Sequence, residues 1–335
     1  MNAVSFVTRN EQQHLFFILY VFFFFIAFFY VVLNPEAGRD YHSYIRLINE
    51  IKEGLYLREF GFYLSVQGLS LLGLSPESII LFFRTIFFFL ILRFFYYTSK
   101  KYKILGVVFF AFIPNIFIGS LNALQTWLAI AIFLQAFITI TSNNNDFDKN
   151  FLRYSIVAFL FHYFALIYII LFLSYKYFNN YIKIFTLLLI IITYQFVELY
   201  IVDFLSAFGY FRYLYSDEAG SKFIILCVIF MVVYFVGILS TSDKKVKSLF
   251  FEFILAIFFF LFFVISFGIS NEIALRSLNF FLPFVWLSLV VFLKSINNQL
   301  SLLISAIVII LLIMNFFINV DFNSDMLNLK GFKRV

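Results

Sequence analysis

The amino-acid sequence predicts an all-α, polytopic integral membrane protein with about 9–11 transmembrane helices, supplemented by re-entrant or short membrane segments. Two observations carry that expectation. Of 335 residues, 64% are hydrophobic and only 13% charged, with a mean hydropathy of +0.99, so polar surface is too scarce to cover a water-soluble globule of this size. Apolar runs of bilayer-crossing length, about 17 to 25 residues, begin at His14 and recur with short polar breaks as far as Asn319. No soluble domain interrupts them, and the chain reads as a single transmembrane domain over 1–335.

Hydropathy places spans near 14–33, 78–97, 104–120, 122–141, 182–202, 223–240, 249–267, 278–293 and 300–319. The first, HLFFILYVFFFFIAFFYVVL, follows a short polar start with Arg9 and lacks a small-residue cleavage motif, so a retained span is expected rather than a removed leader. The lysine-rich stretches SKKYK (99–103) and SDKKVKS (242–248) are cytoplasmic by the positive-inside rule, and Lys176, Lys183 and Lys294 agree. The loops at 34–60, 203–222 and 268–277 then face the outer side, the first of them carrying an amphipathic helix. The basic tail, with Lys330, Lys333 and Arg334, ends on the outer side in this scheme, against the same rule.

Two segments do not fit simple crossings. Residues 60–74 hold too few apolar positions and several glycines, and read as a short outer-leaflet insertion. Residues 151–173 break the parity: one crossing there would put SDKKVKS outside. Parity is restored if 151–173 enters part-way and returns as a re-entrant hairpin with His162 at its tip. A polar group in hydrocarbon needs a partner, because an unsatisfied one costs several kcal/mol. A tip that lines a protein-walled cavity supplies that partner.

The remaining polar residues collect on the outer side. The 34–60 loop and the residues just after it carry five acids, four bases and His42. That pattern suits a solvated amphipathic helix, and equally a site in which Asp40 and Glu59, flanking it near the membrane, act on a substrate at the interface. In GSLNALQTWLAIAIF, Asn122 and Gln125 are three residues apart and so expected on one helix face, for substrate contact or for interhelical hydrogen bonds. Arg276 opens a late span shortly before Pro283; its planar fork suits phosphate or carboxylate, though a pair with Glu272 or headgroup contact would also explain it. Arg212 and Tyr213 add a further outer cation, and Arg84 lies within a span, where charge is costly and more often functional than idle.

Several chemistries are excluded. There is no P-loop, dinucleotide fingerprint or H-E-x-x-H motif, so no cofactor is expected. Three histidines, His14, His42 and His162, with the single Cys227 leave no metal site and no disulfide. The net charge of +6 comes mostly from short loop clusters that mark membrane orientation, so nucleic acid is not a partner. What remains is a site for a lipid-anchored anion.

The ordered series Asp40-Tyr41 with Tyr44, then EFGF at 59–62, NALQTWLAIAIF, AFLFHYFALIY, and an arginine opening a late span resembles the EpsG-like family of Wzy-type polysaccharide polymerases over residues 38–285. The resemblance implies a C-type integral-membrane glycosyltransferase. Such an enzyme joins oligosaccharide repeat units, donor and acceptor both on undecaprenyl pyrophosphate, at the periplasmic face of the bacterial inner membrane, with a chain-length regulator as a further partner. Asp40, His162 and Glu59 would be the catalytic groups. Arg276 would anchor pyrophosphate, and Asn122, Gln125, Arg212, Tyr213, Tyr44 and Arg84 would complete the substrate contacts. Where the family commonly carries arginine before the glutamine, this chain has Leu124, so another arginine must take over that role. Two other functions fit a polytopic chain of this kind. A lipid-linked-sugar flippase would be expected to show internal repeats and charges along a central cavity, and a membrane acyltransferase more histidine and arginine in its early spans; neither is present.

Overall fold

The computed structural model describes residues 38, 40–55, 59–98, 102, 105–106, 109, 121–138, 147–192, 221–266, 274 and 277–319. Among these residues every regular element is helical: α1 (Tyr41–Lys52), α2 (Phe60–Leu71), α3 (Pro76–Thr98), α4 (Leu124–Ile138), α5 (Phe147–Phe161), a 3-10 turn (Tyr163–Ala165), α6 (Leu166–Tyr177), α7 (Asn180–Ile192), α8 (Ser221–Ser240), α9 (Lys244–Ser266), α10 (Leu282–Ser295) and α11 (Asn298–Asn319). Helix α3, and α8 over Phe223–Ser240, are long and apolar enough to cross a bilayer. The chain is an all-α membrane protein. The expected first span, and most of the span at 104–120 and of the loops at 203–222 and 268–277, lie outside the described residues.

The chain divides into two compact units, Met1–Phe147 with Val157–Tyr163 and Ala306–Val335, and Asp148–Ile156 with Phe164–Ser305. In the first, α1 buries Tyr41, Tyr44, Ile48 and Ile51, the spacing of one helix face. It stops at Gly54, whose left-handed φ of 74° lets its N–H and that of Leu55 return to the carbonyls of Ile51 and Glu50. Gln67 of α2 donates to the Ile51 carbonyl, and Phe62 stacks on Phe83 of α3 with ring centroids 5.0 Å apart. Helix α3 begins where the Ser75 hydroxyl accepts the Ser78 N–H and Pro76 occupies the first turn. Helix α4, apolar nearly all round, is buried nearly all round. Its Gln135 amide donates to Leu90 O of α3 at 2.9 Å, so the one strongly polar group in its interior is spent on holding the two helices together.

In the second unit α8 packs on α9 and α10, and α6 on α9. Gly237 permits this approach, since a Cβ there would collide with the Ser288 hydroxyl and the Phe250 ring. Ser288 instead donates to Val233 O at 2.6 Å. The chain turns before α10, which has Pro283 in its first turn. Backbone carbonyls at such a break need donors when water is excluded. The Tyr168 hydroxyl supplies Phe280 O at 3.0 Å and the Tyr234 hydroxyl supplies Phe281 O at 2.6 Å.

The segment 151–173 is not one continuous helix. Helix α5 ends at Phe161, and His162 and the 3-10 turn separate it from α6. The arms run antiparallel, because Phe151 stacks on Phe172 and Lys176 Nζ lies 3.7 Å from Asp148, pairing the start of one arm with the end of the other. At 1.5 Å per residue the longer arm, α5, reaches about 22 Å, short of a hydrocarbon core of about 30 Å.

Three expectations change. The stretch 242–248 is not all loop: Asp243 Oδ1 accepts the Lys245 N–H at 2.8 Å, and Lys244, Lys245 and Lys247 lie on the first turn of α9. Lys183 does not face water as an orientation marker; it is buried against Glu252, whose other oxygen accepts from Ser174 at 2.7 Å. Asn122 and Gln125 do not share a helix face, because α4 begins at Leu124 and Asn122 precedes it.

Candidate functional site

The first unit gathers residues from four separate stretches around the N-terminus of α4. Gly38 has φ +98°, and a Cβ on it would sit 2.9 Å from both Leu121 O and Asn122 Oδ1. Only glycine allows the backbone before α1 to lie against Leu121–Asn122. That approach brings Tyr44 of α1 over the first turn of α4, where its phenol oxygen receives the backbone N–H groups of Leu124 and Gln125. Helix N-termini leave such groups without intrahelical acceptors. Burial foremost, then the Asp40 carboxylate and more weakly Glu59, push the Tyr44 phenol above its ordinary pKa against the pull of those N–H groups. Tyr44 therefore stays a neutral phenol. Asp40 stands at the start of α1, where its carbonyl accepts the Tyr44 N–H at 2.9 Å and its side chain does not cap the helix.

Arg84 of α3 is 2% exposed, with Nη2 3.5 Å from Leu121 O and with Tyr44 and Tyr41 in electrostatic reach. It braces the chain just before α4, three residues from Leu124, rather than opening to the surface.

The second half of the site is built at the start of α2. Glu59 is the one non-glycine among the described residues with positive φ, at φ 52° and ψ 68°, a conformation that costs on the order of 1–3 kcal/mol. Two residues on, Gly61 lies so close to the hairpin that a Cβ would be 3.0 Å from Leu160 Cβ and Leu160 O. The twist at 59 and the missing side chain at 61 together aim the Glu59 carboxylate at the hairpin tip. There Oε1 bonds His162 Nδ1, while Oε2 is buried with no hydrogen-bond partner among the described residues. The other ring nitrogen, Nε2, lies 3.1 Å from Thr126 Oγ1 in the first turn of α4.

With Glu59 ionised, the carboxylate can only accept, so Nδ1 carries the proton and Nε2 is left to accept from the Thr126 hydroxyl. An imidazole held in that tautomer can take a proton at Nε2, and the carboxylate behind it stabilises the cation that forms. Beside the tip runs an apolar groove of about 310 Å³, bounded by Ser65, Gly68, Phe83, Leu128, Ile132 and Phe161 among others. A part-buried acid–base couple thus stands next to Phe161 in the wall of an apolar groove, at the N-terminal end of a helix.

Residues 17–330 match the sequence model of the EpsG family. The chain belongs to the EpsG family. That membership, over nearly the whole chain, places it among Wzy-like polymerases and gives it a polysaccharide-polymerase-like role in general. Comparison with curated proteins and with solved structures gives no match.

Within this EpsG-family chain the structure brings together Asp40, Tyr44, Glu59, Arg84, Asn122, Gln125 and His162, whereas Arg212, Tyr213 and Arg276 lie outside the described residues. Gln125 enters through its backbone N–H to Tyr44, and its side-chain Nε2 is buried without a partner among the described residues. Asn122 enters through its contact with Gly38. Thr126 was not anticipated from the sequence. Its only signal there is position, one residue after Gln125 and at the start of a span, where threonine is commonplace.

Proposed function

We propose that this chain polymerises lipid-linked oligosaccharide repeat units as a Wzy-type glycosyltransferase, with Glu59 and His162 as the couple that accepts the proton of the attacking sugar hydroxyl. The observation that carries this reading is the part-buried Glu59–His162 bond, made by residues 103 apart in the chain and supported by a strained backbone at 59 and a glycine contact at 61. In the reaction the acceptor hydroxyl oxygen bonds the anomeric carbon. The bond from that carbon to the phosphate oxygen breaks, and its electron pair leaves with the lipid pyrophosphate. The hydroxyl proton passes to imidazole Nε2, and Glu59 balances the imidazolium. Its buried Oε2 is placed to accept a further sugar hydroxyl. Asp40 orients the acceptor, the neutral Tyr44 phenol offers a donor, and Arg276 with Arg212 balances the charge on the leaving pyrophosphate. Arg84, at the stretch where the family commonly has arginine and this chain has Leu124, adds positive potential from behind.

The donor and acceptor are undecaprenyl-pyrophosphate oligosaccharides, the apolar groove suits the start of their isoprenoid tails, and the site faces the periplasm from a multi-pass protein of the inner membrane. A chain-length regulator would act on the product. Replacing His162 by Ala or Glu59 by Gln in cells is expected to leave single repeat units on the lipid anchor, with polymer reduced by about 10²- to 10⁴-fold. Full-length polymer from either variant, once shown to insert and accumulate, would refute the reading.

The order hydroxyl, imidazole, carboxylate in Thr126, His162 and Glu59 also favours a second reading, acyl transfer through a threonine ester. Cells lacking the gene distinguish them: full-length polymer missing only its acyl groups means acyl transfer, capped single units mean polymerisation.

A further inference from the structure

We infer that Thr126 is a proton relay, the group through which the acceptor hydroxyl reaches His162; this rests on the glycosyl-transfer reading above. Both imidazole nitrogens are already bonded, Nδ1 to Glu59 and Nε2 to Thr126 Oγ1 at 3.1 Å. The imidazole is 14% exposed, and Thr126, half-buried like the histidine, stands in the first turn of α4. With both ring nitrogens bonded, a substrate hydroxyl that leaves those bonds intact reaches the imidazole through the threonine oxygen. The positive end of α4 lowers the cost of negative charge on that oxygen, and the neighbouring first-turn N–H groups of Leu124 and Gln125 are turned to Tyr44, leaving Thr126 Oγ1 to the histidine.

The relay balances in one step. As the acceptor oxygen bonds the anomeric carbon, its proton moves to Thr126 Oγ1 and the proton already on Oγ1 moves to His162 Nε2. The electron pair of the breaking carbon–oxygen bond leaves with the lipid phosphate. Threonine ends the step unchanged, and the imidazolium afterwards releases its proton to the departing phosphate or to water. Two protons are in flight where direct attack on the imidazole would move one.

The test uses the full chain in native membrane vesicles, supplied with lipid-linked repeat units extracted from cells lacking the polymerase. Thr126→Ser keeps the hydroxyl and is expected to retain kcat within about threefold, while the near-isosteric Thr126→Val is expected to lower kcat by about 100-fold or more at unchanged KM. In mixtures of light and heavy water, wild type and Thr126→Ser should show the curved dependence of two transferring protons. Wild-type turnover in Thr126→Val, equal losses in Val and Ser, or a linear one-proton dependence in the wild type would each overturn the relay. The wild-type and Ser isotope measurements stand even if the Val protein fails to accumulate. A dead His162→Ala beside a fully active Thr126→Val sinks the relay alone; an active His162→Ala sinks the polymerase reading with it.

Discussion

Gly61 shapes the candidate site by lacking a side chain. Its Cα is so near Leu160 that a methyl group would meet the hairpin at 3.0 Å, against both a side chain and a backbone oxygen. Because backbone cannot rotate away, Gly61→Ala should push α2 from the tip, destabilise the first unit by about 1–3 kcal/mol and lengthen the Glu59–His162 bond. Thermal unfolding in detergent and polymer yield should therefore fall together. A variant of full stability and full activity would show that the approach is not needed. Tyr44 makes a separate prediction through pH. Its phenol is held protonated in the folded state above its ordinary value of 10.0, so the folded chain binds a proton that the unfolded chain releases above that pH. Stability from this group is complete below about pH 10 and declines as pH rises further. Melting temperatures between pH 9 and 12 should show a shallower alkaline decline for Tyr44→Phe than for the wild type, along with a loss of about 1 kcal/mol at neutral pH from the unpaired N–H groups of α4. Identical alkaline slopes would refute this.

At the scale of elements, two ion pairs in the second unit look alike in sequence and differ in consequence. Lys176 and Asp148, on the two hairpin arms, are roughly 40% exposed and 3.7 Å apart, so solvent screening leaves about 0–1 kcal/mol between them. Lys183 and Glu252 are nearly fully buried, where removing one partner strands the other charge at about 3–5 kcal/mol. Asp148→Asn is thus expected to leave the melting temperature nearly unchanged, and Lys183→Met to lower it steeply, with Lys183→Met/Glu252→Gln recovering part of the loss. Denaturation of the three proteins in one detergent reads the difference directly. The hydropathy pattern placed Lys183 near a span end and could not show this, since burial depends on α9, 69 residues further along. The same limit applies to Tyr168 and Tyr234. Among 21 tyrosines nothing local marks the two whose hydroxyls hold the carbonyls before α10.

For the whole molecule, the most legible feature was the turn at His162. It followed from charge in the flanking loops, where clustered lysines such as those at 99–103 and 242–248 carry the sidedness that a single buried lysine such as Lys183 does not. The spans at 78–97 and 223–240 were legible for the same kind of reason: length and composition suffice for α3 and α8. His162 stood out as a polar group in an apolar run and Glu59 as a carboxylate at the membrane edge of a charged loop, but their bond did not, nor did Thr126, because a contact across 103 or 36 residues leaves no local periodicity. The hairpin carries a prediction about topology. With Cys227 replaced by Ser, single cysteines at Asp148 and Asn179 should react with an impermeant thiol reagent from the same side of the membrane. Reaction from opposite sides would mean that the segment crosses.

The left-handed backbone at Glu59 bears on how this protein would respond to selection. Glycine adopts that conformation freely, so Glu59→Gly relieves the local strain while deleting the carboxylate. Under the proposed role of Glu59, relief of that strain offsets the lost bond to His162, so a screen that rewards robustness alone, such as recovery after heating, has little to retain the carboxylate. Ranking variants by the product of yield and polymer length, rather than by yield, would keep Glu59 in place.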